Sequence, residues 1–404
     1  MQDVHEIDED AHVTSKPKLE EVRRFLKGER PLPGQVFRDE DVFRDETKRI
    51  FSREWVSITC AQNVAKPGDV FPVYIAGYAL LVVRDKKNQV RVFYNMCTHR
   101  GASLVTEPCH ARGGLLSCPY HGWVFSLDGS LSGAPFLSQS KENPRASEEE
   151  LRGRGLVPVR SVVWRDIVFV DLSGSAEPFE ERIAPLDEHL EPWTAEELHP
   201  LSTNEYTAKV NWKLAAENFV DAYHLPVVHS QICPTFQGAL EQCSLVLSDR
   251  IAGMLMPGGY GSDKASGADS PLPVFSGLEE EQKSRVEAFF IFPNTLILVE
   301  SDYQQVIVLR PQGAALLHET FASYLVSEEA FAKEHQELRD ETDRASLKIN
   351  DQDIALLEEL QKSRSMPAAD HTKLATEWDQ TVAAFQSTWA HAFLGAHALA
   401  AERD

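Results

Sequence analysis

Cys97-Thr98-His99-Arg100-Gly101 and, further on, Cys118-Pro119-Tyr120-His121-Gly122-Trp123 decide how this chain is read. Each stretch offers a cysteine followed two or three positions later by a histidine. Together they present two sulfurs and two imidazoles on separate loops. A [2Fe–2S] cluster with cysteines on one iron and histidines on the other needs that inventory. Tetrahedral zinc uses the same four ligands, so composition alone does not choose. The neighbours favour the cluster. Each pair runs into a glycine, Gly101 or Gly122, which permits a tight turn bringing amide N–H groups toward bridging sulfides. Pro119 stiffens the second loop.

Outward from these loops, Trp55 to about Leu172 reads as short strands. Val70–Ile75, Tyr78–Arg84 and Val90–Tyr94 lead to Cys97, with a hairpin turn at Lys86-Lys87-Asn88. Leu115–Ser117 leads to Cys118, and Gly122–Phe125 departs toward the Asp128-Gly129 turn. Cys109-His110 sits between the pairs as a decoy, and its adjacent members read as loop. Residues 132–154 read as loop, and Val157–Val163 and Ile167–Leu172 as strand.

The chain has 404 residues, 43% hydrophobic and 25% charged, enough for two buried cores. Its net charge of −22 argues against a nucleic-acid footprint and against an anionic membrane surface. Six cysteines are too few for a disulfide scaffold. With no apolar leader or membrane span in the sequence, a cytoplasmic location is expected. No Gly-rich dinucleotide fingerprint is present.

Four segments are expected: a disordered tail at 1–17, amphipathic helices within 18–54 (Leu19–Leu26 and Asp41–Glu54) packing on the C-terminal domain, the β domain at 55–172, and a second domain at 173–404. Ser173–Glu181 reads as linker, and Trp193–Leu198 as a polar helix. Residues 257–276 read as a long loop, followed by strands at 288–292, 296–299, 304–309 and 316–325. Ser327 to about Ala400 reads as helical, broken at Pro367. An α+β architecture follows, a small antiparallel β domain preceding helices on an antiparallel sheet.

The second informative stretch is Asn211-Trp212-Lys213 with Glu217-Asn218, Asp221, His224 and His229. A helix is expected over 211–224, broken by Pro226, which folds His229 back toward His224. Alone, the two histidines read as core residues near a helix end. Beside the upstream Cys/His pairs they read as iron ligands, since two imidazoles and one carboxylate leave three positions open on Fe(II).

Both stretches resemble the Rieske non-haem iron oxygenases, the aromatic-ring-hydroxylating dioxygenase family, over about residues 35–395. Phe289–Arg310 is similar to the subgroup of choline, glycine-betaine and carnitine monooxygenases. The resemblance implies an oxygenase alpha subunit with a Rieske domain and a START-like catalytic domain. It implies cofactor ligands Cys97, His99, Cys118 and His121, iron ligands His224 and His229, Asp221 as a bridge for electrons between subunits, and Asn218 behind it. The run Asp353, Glu358, Gln361 resembles the family's late motif and selects Asp353 as third ligand, with Asp351 as fallback. One [2Fe–2S] cluster and one Fe(II) per subunit, O2, a reductase or ferredoxin donor drawing on NAD(P)H, and a homotrimer are implied.

The expected reaction is hydroxylation or oxidative demethylation of a quaternary ammonium compound or aromatic acid, with ring dihydroxylation as alternative. A Rieske electron carrier and a zinc-binding structural protein stay open. Phe289, Phe292, Leu296 and Leu298 are expected near the substrate, with Phe219, Tyr223, Tyr260 and Phe275 as candidates for an aromatic cage.

Overall fold

The computed structural model describes residues 16–28, 32–138, 145–230, 243–257, 271–375 and 377–395. The expected tail lies outside these residues except for Lys16 and Pro17, which begin a helix. Most of the 257–276 segment, including Tyr260, also lies outside them.

The first half is made of short strands: Trp55–Cys60 (β1), Asp69–Ile75 (β2), Tyr78–Arg84 (β3), Val90–Tyr94 (β4), Cys109–His110 (β5), Leu115–Ser117 (β6), Val124–Ser126 (β7), Leu131–Gly133 (β8), Pro158–Trp164 (β9) and Ile167–Asp171 (β10). Seven form an antiparallel sheet in the order β1-β10-β9-β4-β3-β2-β5, and β6-β7-β8 form a separate three-stranded sheet. Cys109-His110 is therefore a short edge strand, paired to β2 by the extended backbone at Asp69–Val70. Along β3 the strand alternation buries both faces. Leu80 and Val82 join a core shared with the C-terminal half, while Leu81 and Val83 pack beneath the Cys/His loops.

The second half is a seven-stranded antiparallel sheet of Leu198–Ala208 (β11), Cys243–Val246 (β12), Ile251–Pro257 (β13), Arg285–Ile291 (β14), Thr295–Val299 (β15), Tyr303–Gly313 (β16) and Leu316–Val326 (β17). The order is β11-β17-β16-β15-β14-β13-β12. The architecture is α+β, as expected. The helices are Lys16–Leu26 (α1), Glu40–Glu46 (α2), Glu148–Leu151 (α3), Phe179–His189 (α4), Trp212–Phe219 (α5), Leu225–Val228 (α6), Glu280–Lys283 (α7), Gln336–Arg364 (α8) and Gln380–Leu394 (α9). None of those described is long and apolar enough to cross a membrane. One sheet face carries Phe290, Leu296 and Ile307 in a core with Trp212 of α5 and Phe385 and Trp389 of α9. The other carries Phe289, Ile297 and Val308 against Phe179 and Ile183 of α4 and Phe169 of β10.

Several expected helices change. The expected linker runs into α4 at Phe179, whose apolar positions meet the sheet. The expected helix at 193–198 is only a 3-10 turn at Ala195–Glu197, because β11 begins at Leu198 and pairs with β17. The helix expected over 41–54 ends at Glu46 and widens into a π turn over Thr47–Phe51. The helix expected over 211–224 stops at Phe219, and Pro226 sits in the first turn of α6 rather than breaking a helix.

Candidate metal centres

The first centre grows from two turns. After β4, Gly101 N–H donates to Cys97 O at 2.9 Å; between β6 and β7, Gly122 N–H donates to Cys118 O at 3.1 Å. Both glycines have positive φ, 78° and 67°, a region that resists any Cβ. Across these turns the cysteines are buried and the histidines exposed. The His99 and His121 rings lie 4.6 Å apart, and Trp123 stacks on His99 at 4.8 Å. Burial raises the Cys118 thiol, but Tyr120 and His121 N–H groups outweigh it, so the net shift is downward. Burial and the neighbouring Cys118 push Cys97 the other way. Two sulfurs meeting side by side and two imidazoles meeting side by side match the donor set of a [2Fe–2S] cluster with cysteines on one iron and histidines on the other.

The second centre is assembled from distant chain. His224 caps the start of α6 and His229 its end, and their rings are 5.3 Å apart. Asp353 arrives from α8, 124 residues beyond His229, with Oδ1 3.1 Å from His229 Nε2 and 3.6 Å from His224 Nε2. Ligand atoms of these three residues lie within 4.8 Å of one another. His224 Nε2 is buried with no hydrogen-bond partner, an orphan that a metal ion would satisfy. Both Nδ1 atoms are held from behind: His224 by Asp221 Oδ2 at 3.2 Å, His229 by Gln352 Oε1 at 2.9 Å. A proton on each Nδ1 leaves Nε2 free as a ligand. Burial lowers the basicity of His229, but the bond to Asp353, its charge and Gln352 outweigh it and raise the net value. These residues fit a divalent metal.

Asp351, the fallback, is exposed within α8, and it is Asp353 that meets the two histidines. Asp221 and His224 meet through a bend beyond α5 rather than along a helix face. Asn218 lines the cavity described below. Glu358 accepts from Lys209 N–H at 2.9 Å, and Gln361 accepts from Asn211 N–H at 2.8 Å while donating to Phe37 O. The helix bearing Asp353 thus grips the start of α5, which leads to His224. Two residues went unassigned in the sequence. Gln352 adjoins a ligand, a signal available only once Asp353 was chosen. Glu46, whose carboxylate takes Lys213 Nζ at 2.5 Å and Trp389 and Trp212 Nε1–H at 2.8 and 3.1 Å, carried no local signal.

Beside the triad opens a cavity of about 40 Å³. Its floor is a row across four paired strands, Met254, Ala288, Leu298 and Gln305. Ile307 and Phe321 extend it, and Phe219 and Leu225 close it from the ligand side. Phe289, Phe292 and Leu296 are not among its lining: Phe289 points to the opposite sheet face, and the other two lie in the core near α9. Tyr223 is exposed and stacked on Trp378, and Phe275 is buried behind the sheet, so the expected aromatic cage is not assembled among the described residues.

Residues 54–159 match the family described as Rieske [2Fe-2S] domain, and residues 195–394 match ring hydroxylating alpha subunit (catalytic domain). The chain is similar to the glycine betaine monooxygenase oxygenase subunit of Chromohalobacter salexigens, 28% identical over 226 residues, covering 55% of this chain and 48% of that one. It is also similar to the N,N-dimethyl phenylurea N-demethylase subunit alpha of a Sphingobium strain, 30% identical over 242 residues, covering 56% and 50%. The chain thus spans about half the length of these curated relatives. The crystal structure of naphthalene 1,2-dioxygenase from Rhodococcus sp. superposes with a TM-score of 0.76 at 20% identity, covering 95% of this chain and 99% of that one, and shares its fold.

Proposed function

With a Rieske [2Fe-2S] domain followed by a ring-hydroxylating catalytic domain, the chain belongs to the Rieske oxygenase alpha subunits, and from that premise we propose that it is the terminal oxygenase component of a multi-component system. Cys97, His99, Cys118 and His121 would hold the cluster, and His224, His229 and Asp353 the mononuclear iron. When bound, these groups supply single-electron transfer and O2 activation for hydroxylation or oxidative demethylation of a small organic molecule. The observation that carries this reading is the convergence of three ligand atoms beside an apolar cavity, with His224 Nε2 buried and unpartnered.

The chain's own residues orient and exclude. Asp221 and Gln352 keep a proton on each Nδ1 and fix the direction of each imidazole. Phe219, Leu225 and the apolar floor keep bulk water from the reacting face. Asp221 also accepts from Tyr223 N–H at 2.7 Å and remains partly exposed, which suits contact with a cluster histidine of a neighbouring subunit. A homotrimer with head-to-tail contacts would supply that neighbour. A separate reductase would oxidise NAD(P)H and pass single electrons on, directly or through a ferredoxin.

The test is anaerobic purification with iron and acid-labile sulfide analysis, EPR, and oxygen uptake with a donor reductase. The proposal expects a coloured protein with a Rieske signal and a second Fe(II) that responds to substrate. A colourless zinc protein without labile sulfide would refute it. A cluster without the second iron would make the chain an electron carrier.

A further inference from the structure

Resting on that oxygenase reading, we propose that Met254 and Met256 are the chain's own oxygen acceptors. When no substrate fills the cavity beside the triad, their thioethers take an oxygen atom and become sulfoxides. Both side chains line that cavity together with the ligands His224 and Asp353. Two residues apart on β13, they share the sheet face onto which the cavity opens. They are 2% and 1% exposed, and they pack in one core cluster with Ala222 and Leu225, which bracket His224. A space of about 40 Å³ leaves an oxidant formed at the triad little to meet except the walls. The described walls are aromatic rings, aliphatic chains, amides and the two thioethers. A thioether yields most readily, because its sulfur lone pair accepts oxygen with no C–H bond broken and no aromaticity lost.

The step balances with what the proposed reaction already draws on. O2, two electrons, two protons and one thioether give one sulfoxide and one water. The O–O bond breaks, one S=O bond forms, sulfur gives up two electrons, and the other oxygen leaves as water. One reduced cluster and one Fe(II) hold the two electrons between them, so a protein reduced beforehand needs no further donor. The product puts a polar, chiral group where the cavity floor was apolar and flexible. Attack by a solvent oxidant follows the opposite order, since Met96 and Met366 are 42% and 55% exposed.

The experiment uses the iron-loaded protein, with iron and labile sulfide measured on the same sample. The protein is reduced with dithionite, freed of excess reductant under argon, exposed to O2 in the presence of catalase, digested and read by tandem mass spectrometry. One added oxygen is expected several-fold more often on Met254 and Met256 than on Met96 or Met366. Hydrogen peroxide added to the oxidised protein should reverse that order. Asp353→Ala, treated with O2 in the same way, should lose the marks on the buried pair while the cluster EPR signal persists. An unmodified pair on a sample with full iron and sulfide, marks that persist in Asp353→Ala, or the surface pattern in both treatments would overturn the inference and leave the oxygenase reading standing. Missing iron and sulfide would sink that reading, and the inference with it.

Discussion

The two candidate metal centres are held in place by different means. The Cys97/His99/Cys118/His121 centre is local: two short turns, each closed by a backbone hydrogen bond and a left-handed glycine. The His224/His229/Asp353 centre is non-local. Its third ligand lies 124 residues beyond its second, and its geometry depends on side chains gripping backbone elsewhere, Glu358 on Lys209 and Gln361 on Asn211. A local site fails when its backbone fails. A non-local site can fail through residues that touch neither metal nor substrate.

The largest expected effect separates the centres outright. Asp353→Ala should abolish turnover and lower iron from about three to about two per subunit, with the cluster's EPR spectrum unchanged. Loss of the cluster signal in that variant would mean that the centres are not independent. Asp221→Asn probes the connection between them. Both metal sites should stay filled while turnover nearly disappears, and wild-type turnover would remove the bridging role.

Next comes the buried support. Lys213 and Glu46 are fully buried, and the lysine also lies about ring-width from Trp212 and Trp389, each 5.3 Å to the centroid. Removing one partner of such a pair costs about 3–5 kcal/mol. Lys213→Met should therefore lower the stability of the C-terminal half in denaturant unfolding and loosen the mononuclear metal, while the Rieske signal survives. Adding Glu46→Gln should recover part of the loss, since no lone charge then remains. Gln352→Leu is milder: without the acceptor on His229 Nδ1, metal affinity should fall about 10–100-fold in a chelator competition, with little change in melting temperature.

The same difference explains what the sequence revealed. Both Cys/His pairs and their glycines could be read because their geometry is encoded within a few residues. The strands of the second sheet were also legible, though not which face meets the cavity. β14 and β15 are buried on both sides, so their apolar runs carry no alternation to separate Ala288 from Phe289. Nothing in the composition of 211–224 marks the stop at Phe219; beyond it Asp221 bonds locally to Tyr223 N–H and His224, and Ala222 is buried in the core with Leu225 and Met254. α4 was hidden within a polar stretch, where Phe179, Ile183 and Leu186 are its only buried positions. Glu46 looked like one more surface acid until its tryptophan and lysine partners came together.

The smallest effect probes the local centre on its own terms. Gly122 sits at φ 67°, and a Cβ there would meet only Pro135 Cγ, at an ordinary 3.5 Å. Crowding is thus nearly absent from Gly122→Ala, and what remains is the backbone cost of a left-handed L-residue, about 1–2 kcal/mol. That strain acts on the turn that aims the Tyr120 and His121 N–H groups at Cys118. The variant should fold, bind the mononuclear metal normally, and show a shifted cluster potential or lower cluster occupancy by redox-titrated EPR. Gly122→Asn should do less damage, because asparagine tolerates the left-handed region better than alanine. An unchanged cluster in both variants would show that the turn is held by the surrounding core of Leu116, Trp123 and Phe125 rather than by the glycine, and the local centre would then depend on packing much as the distant one does.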